Sequence, residues 1–482
     1  MASFTLQMPF TSIPDVRVTY NVGALLDIPS GTWLPGIHGE RILNGGTGAC
    51  TAVVGIGNQY KTGAMEYMQG QMYARYIADD EHGCANSYDT EINKSKSRLS
   101  ALLSHLPGIT PENNPIENGR WIIMDKSAGL GDVWFEQYKS FVATKQKNAV
   151  HLMRETPFVV PRTGKLYSEI LPTPTAIDSM TELETTDVVD MKDDNALGEK
   201  GGNTVWMRQG LAKVRMLSEF PRLITNGNTP LFLTAHIGKL IPMDPHAPPV
   251  KKLGFLKNGD QVKGVSDKFF FLTTVAWQAT NAAPLINDGT KGPEYPMDAD
   301  DNMKMDTDLM IVTLTILRNK YGRSGLMLQL IISQELGVQP SLTEFHYIKT
   351  VDRYGFEGNM QNYSLVLCPE IKLSRTSIRG KIDRHPELRR ALNILAEMLQ
   401  TTQLTTDKEG VFCTPQELYT DLIAMGYDWP TLLATRGWWT YNNDKHPIPF
   451  LSTMDLLRMR RGLYVPYWWP KDTKPIDLTK AK

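Results

Sequence analysis

Lys61 and Thr62 close an eight-residue stretch, GIGNQYKT from Gly55 to Thr62, that follows an apolar run from Cys50 to Val54. A strand, a glycine turn and a lysine–threonine pair opening a helix suit a triphosphate. Turn N–H groups and the positive end of the helix face the phosphates, the ammonium reaches the outer oxygens, and the hydroxyl ligates Mg²⁺. The candidate contacts are Gly55, Gly57, Asn58, Gln59, Tyr60, Lys61 and Thr62. The turn departs from the G-x-x-x-x-G-K-[ST] pattern at its sixth position, where Tyr60 replaces glycine. By itself it fits an ordinary strand–turn–helix as well as a phosphate cradle.

Transfer of a phosphoryl group to water needs two further groups, an acid to hold the metal and a carboxylate to orient the water. AIDSMTEL offers Asp178 at the end of an apolar run, ANSYDTE ends in Glu91, and FLTAHIG places His236 at the end of another. Each has a plainer reading: a helix cap for Asp178, a solvated charge for Glu91, and a histidine satisfied by its neighbours for His236. Their order along the chain favours the chemical one.

Such groups need a scaffold that brings distant segments to one edge. Strands are expected at 50–54, 85–91, 119–125, 171–178 and 230–238, with helices at 61–80, 134–147 and 204–226. In the first helix Met65, Met68, Met72, Tyr76 and Ile77 share one face, which reads as core packing. Strands alternating with helices imply an α/β fold with a mostly parallel sheet covered on both faces. Residues 187–203 and 237–265 show no period, and loops of that length in a compact domain are functional or disordered. After residue 306, LMIVTLTILRNK and LMLQLIIS pair as a hairpin. From residue 352 the chain reads as short helices and then a tail in which Trp438, Trp439, Trp468 and Trp469 serve as packing anchors.

Across 482 residues, 51 basic and 52 acidic side chains nearly cancel, so any nucleic-acid contact must come from local basic patches. The four cysteines have no CxxC spacing, which argues against a zinc site or a disulfide framework and for buried thiols in a reducing compartment. No apolar run approaches the roughly 20 residues of a membrane span, and no signal-like segment opens the chain. A cytoplasmic protein with no membrane partner is therefore expected.

The succession GIGNQYKT, ANSYDTE, AIDSMTEL, WMRQGLAKVR and FLTAHIG resembles the RecA recombinase superfamily, and within it the phage UvsX type, over residues 30 to 340. Those relatives carry an aromatic residue where this chain has Tyr60, and end the last strand in Asn-His where this chain has Ala235-His236. The resemblance implies a RecA-like P-loop ATPase core over 36–350, a short N-terminal arm over 1–35 that is a candidate protomer-docking segment, and a small mixed C-terminal region over 351–482. It implies that Lys61 and Thr62 bind phosphates and Mg²⁺, that Asp178 holds Mg²⁺ through water, and that Glu91 is the catalytic carboxylate. His236 would sense the γ-phosphate and pass its presence to the segment that follows.

The two long loops then become the places for single-stranded DNA. The first carries Lys192 and Lys200, with Trp206 and Arg208 just beyond it, the second Lys239, Lys251, Lys252, Lys257 and Lys263 with Phe255. By the same resemblance Arg318, Lys320 and Arg323 would reach a neighbour's γ-phosphate as an arginine finger does. The basic stretch 372–395 is either a second, duplex-DNA site or a charged surface helix. The implied function is a DNA-dependent ATPase, using ATP and Mg²⁺, that forms helical filaments on single-stranded DNA and pairs it with a homologous duplex. Its partners would be both DNA forms, further copies of itself, and mediator and single-strand-binding proteins, in the host cytoplasm if phage-encoded. A ring-forming replicative helicase and a degenerate structural protein of the same fold are the alternatives.

Overall fold

A computed structural model describes residues 16–194, 202–239, 253–257, 259–266, 268–297 and 306–470. At its centre is a ten-stranded sheet. Its strands are β1 (Cys50–Gly55), β2 (Ala85–Asp89), β3 (Trp121–Asp125), β4 (Thr175–Asp178), β5 (Leu231–Lys239), β6 (Asp260–Val262), β7 (Val275–Pro284), β8 (Leu309–Asn319), β9 (Met327–Ser333) and β10 (Gly337–Val338). The order is β10-β9-β8-β7-β1-β5-β4-β2-β3, with β6 added on β5. From β7 to β3 all neighbours run parallel. From β7 to β10 they alternate in direction, because the expected hairpin of β8 and β9 forms and turns back on the parallel core. The fold is thus mixed α/β with a large, mostly parallel central sheet, as the alternation of strand and helix signals requires.

The parallel strands read as apolar runs because both their faces are covered. On one face lies α1 (Lys61–Tyr76), whose Met65, Met68 and Met72 are fully buried as the methionine stripe predicts, together with α2 (Lys96–Ser104). On the other face lie α3 (Gly131–Lys147) and α5 (Gly202–Gly227). There Trp134, Phe135, Tyr138 and Phe220 stack against Ile177 and Leu233 of the sheet. Two stretches without a sequence period are partly regular. Residues Thr186–Asp193 form α4, and β5 runs on to Lys239 to pair with β6, so the base of the second loop is a hairpin. Both gain order from pairing rather than pattern: Lys192 ties α4 to Glu184, and Lys239 forms an ion pair with Asp260.

From Val16 onward the N-terminal segment is built into the protein's own core: Tyr20, Val22, Ala24 and Leu26 are buried beside α1, and residues 1–15 lie outside the described residues. The C-terminal region is centred on a 19-residue helix, Pro386–Leu404, longer than the short helices expected there. Its core is continuous with that of the sheet, because Leu309 and Ile331 share a cluster with Phe345, Leu392 and Leu395. Trp439 is wholly buried against Tyr20, Tyr76 and Phe158, and Trp469 packs with Tyr427, so the tryptophans are packing anchors. Much of the basic stretch is spent internally. Arg379 binds both oxygens of Asp308 (2.7 and 2.6 Å), Arg375 donates to the Pro293 carbonyl, and Arg390 donates to the Leu451 carbonyl.

Both ends of the described chain meet at Glu169, which accepts hydrogen bonds from the hydroxyls of Tyr20 (2.8 Å) and Tyr441 (2.5 Å). Burial raises its carboxyl to about 7 even though both tyrosines, Asn228 and Lys145 oppose the shift. An acid whose folded pKa is raised stabilises fully below its unfolded value and loses that contribution as pH rises through the folded value. Glu169→Gln keeps the accepting oxygen without the charge. It should leave Tm unchanged at pH 4 and raise stability by up to about 2 kcal/mol at pH 8, read by thermal melts at the two pH values.

Candidate active site

The parallel register decides which side chains share the carboxyl edge, where ligands bind in open α/β sheets. Gly55 at the end of β1 is paired with His236 on β5, and Asp178 at the end of β4 is paired with Asp89 at the end of β2. Thr234, two residues before His236, donates from Oγ1 to Asp178 Oδ1 (2.5 Å). Asp178 is buried, and its second oxygen accepts no hydrogen bond, with the Lys94 ammonium 3.5 Å away.

After β1 the chain turns through Asn58 (φ 58°) and Tyr60 (φ 54°), both left-handed, and α1 begins at Lys61. The left-handed backbone explains why glycine is usual at the sixth position: a side chain there costs about 1–2 kcal/mol. The Tyr60 ring packs against the core beneath α1. No side chain caps α1, and a side chain at Gly57 would meet open space, so the turn's outer surface is unobstructed. Gln59 is anchored to the scaffold, its side-chain oxygen accepting from the Ala282 N–H (2.9 Å). The Lys61 ammonium folds back to donate to the Ile56 carbonyl (2.7 Å). Burial lowers it below the usual lysine range, and Glu91 and Asp178 pull the other way.

Glu91 sits two residues beyond β2, on a turn that the Asp89 carboxylate holds by accepting from the N–H groups of Glu91 (3.0 Å), Asn93 (2.8 Å) and Lys94 (2.8 Å). Its Oε1 accepts from His236 Nε2 (2.9 Å) and Ser179 Oγ (3.0 Å). Lys61, Thr62, Glu91 and His236 line one cleft of about 800 Å³, which also reaches Glu66 of α1 and Lys94. The turn, Glu91 and the imidazole therefore share the cleft, while Asp178 does not line it and stands buried at the same edge, 3.5 Å from the Lys94 ammonium. Among the described residues no three His, Cys, Asp or Glu side chains gather as a ready metal cage. Asp178 Oδ2 accepts no hydrogen bond and faces the Lys94 ammonium at 3.5 Å, so an ion placed there would take its remaining ligands from water and phosphate.

Sequence reasoning missed Lys94, Glu66 and Asp89. The Lys94 side chain is 2 % exposed, with Nζ 2.7 Å from Glu66 Oε1 and 3.5 Å from Asp178 Oδ2. Burial works against its charge, but Glu66, Asp178 and Asp89 outweigh burial and hold its pKa above the ordinary lysine value. A lysine in INKSKSR carries no sign of being buried.

Arg318, Lys320 and Arg323 are not brought to this edge. Arg318 pairs with Ala276, and the adjoining Val275 pairs with Thr51, so they stand by the amino-terminal end of β1. Lys320 donates to the Phe271 carbonyl (3.0 Å), and burial, with Arg318 nearby, lowers its pKa. None of the three can serve the phosphate turn of its own chain. Among the loop cations, Arg208 and Lys257 are exposed, and Lys263 lies across Gly238. Lys200, Lys251, Lys252 and the Trp206 side chain lie outside the described residues.

No family model matches the chain, and no curated protein matches it. Among solved structures, one titled "Crystal structure of the RadB recombinase" is similar at 14 % identity, covering 61 % of this chain and 92 % of that one with a TM-score of 0.31. A likeness that weak leaves the fold to be read from the strand order itself. No helix among the described residues is long and apolar enough to cross a membrane.

The close of β1 against β7 gives a direct check on the turn. A Cβ at Gly55 would stand 2.8 Å from the Ala279 carbonyl oxygen and 3.4 Å from the Lys61 side chain. Gly55→Ala should destabilise by about 1–3 kcal/mol, read as a lowered denaturation midpoint.

Proposed function

We propose that the protein is an ATP-dependent recombinase that assembles on single-stranded DNA. The observation that carries this reading is the convergence of the Lys61 turn and the Glu91–His236 pair on one cleft at the carboxyl edge, with the buried Asp178 at the same edge behind Lys94. Lys61 would leave the Ile56 carbonyl for the β- and γ-phosphate oxygens, which offer it a stronger, charge-assisted bond. Thr62 and Asp178 are the residues to hold Mg²⁺, which when bound neutralises phosphate charge and draws electrons from the bond that breaks. Glu91 orients a water whose oxygen attacks the γ-phosphorus as the bond to ADP breaks, and takes up the proton that is released.

His236 can link this chemistry to DNA. Its ring binds Glu91, while its carbonyl accepts from the Lys263 N–H (2.8 Å) at the base of the β5–β6 hairpin. A γ-phosphate that competes for the imidazole would bias that hairpin and the cations it bears, Lys239 and Lys263 with exposed Lys257 beyond them. Lys200, Lys251, Lys252 and Arg208 complete the proposed DNA contacts. The placement of Arg318, Lys320 and Arg323 at the far edge of the sheet suits a role toward a neighbour's nucleotide, as head-to-tail filament growth would need.

ATPase rates with and without single-stranded DNA test the reading, with electron microscopy of the same mixtures. The expected result is DNA-stimulated hydrolysis on long helical filaments; closed rings would favour the helicase alternative, and a rate equal to buffer the structural one. Lys61→Ala should weaken ATP binding at least about tenfold with the melt unchanged. Glu91→Gln should keep binding while hydrolysis falls about 100-fold or more.

A further inference from the structure

Lys94 has no task in the hydrolytic scheme, yet the site is built around it. Its ammonium bridges Glu66 (2.7 Å) and Asp178 (3.5 Å), and its N–H is held by Asp89 on the turn that also carries Glu91. Thr234 occupies one oxygen of Asp178, so the oxygen left to meet an ion, Oδ2, is the one the ammonium faces. We infer that Lys94 is a resident cation that competes with a divalent ion for Asp178 and Glu66, so that the site takes up metal together with a phosphate chain and not before it.

The charges make the case. Two carboxylates bridged by one ammonium carry a net single negative charge, and a divalent ion entering beside the ammonium meets repulsion across a short, poorly screened distance. Triphosphate oxygens supply the missing negative charge, and only with them present is the ion's place favourable. The Lys94 backbone is held by Asp89 on the turn that positions Glu91, so the root of the ammonium's side chain stays beside the site. Lys94 is therefore a positioning residue, acting through Asp178. The inference deepens the nucleotide reading of the same site and rests on Asp178 being its metal-side carboxylate.

The test uses Mn²⁺ alone, without nucleotide, with free ion counted by its paramagnetic signal and Tm recorded in parallel. Wild type and Lys94→Arg should bind Mn²⁺ weakly and show no shift in Tm. Lys94→Met should bind it at least about tenfold more tightly and gain Tm on its addition. Two uncompensated carboxylates could unfold that variant, so a milder pair is measured beside it. Glu66→Gln leaves Lys94 facing only Asp178, and Lys94→Met combined with Glu66→Gln leaves Asp178 unopposed; the second should bind Mn²⁺ more tightly than the first. Equal affinities within both comparisons overturn the inference. Failure of ATP to bind the wild type would remove the nucleotide reading while leaving the Mn²⁺ comparison intact, so the two ideas fail separately.

Discussion

The parallel pairing of β1 with β5 and of β2 with β4 is the constraint on which the site depends. Side chains in a sheet are placed by register, and a slip of one residue sends each of them to the other face. Here the register sets Gly55 beside His236 and Asp89 beside Asp178. It is held by buried residues on both faces, among them Ala52, Val53, Ile177 and Leu233. Residues far apart in the sequence meet because their strands end at the same level.

The second organising feature is the balance of charge at that edge. Lys61 and Lys94 stand among Glu66, Asp89, Glu91 and Asp178, each with different company. Asp89 spends its oxygens on backbone N–H groups and so becomes a scaffold for the turn. Asp178 gives one oxygen to a neighbouring hydroxyl and turns the other to the Lys94 ammonium. Glu91 remains at the surface of the cleft with a histidine for partner. Identical carboxylates acquire distinct duties from burial and hydrogen bonding, since the residue type alone does not set their chemistry.

Much of the scaffold was legible in the sequence because apolar runs broken by glycine and helices with a 3.6-residue period report burial directly. The strands that close at Gly55, Asp89, Asp178 and Lys239 end within two residues of where those patterns put them, although the one closing at Asp178 starts four residues later than expected. Lys61, Glu91 and His236 share one cleft, and Asp178 ends a strand at the same edge without lining it. Lys94 was invisible because nothing local to a lysine reveals that two acids from other segments will enclose it. The arginines of residues 375–390 read as a displayed basic surface, yet Arg379 and Arg390 are buried on Asp308 and a backbone carbonyl. Helix α4 and the hairpin of β5 with β6 escaped for a related reason, since short elements held by ion pairs leave no hydrophobic period.

Trp439, enclosed by Tyr20, Tyr76 and Phe158, makes the two halves of the chain interdependent. On the ribosome, the segment from Val16 to α1 emerges early and must wait for Trp439 before its apolar surface is closed. Until translation reaches that point the nascent chain displays aromatic surface that invites chaperones or premature association. Synthesis interrupted before Trp439 would release a product with an open core, exposed to quality control.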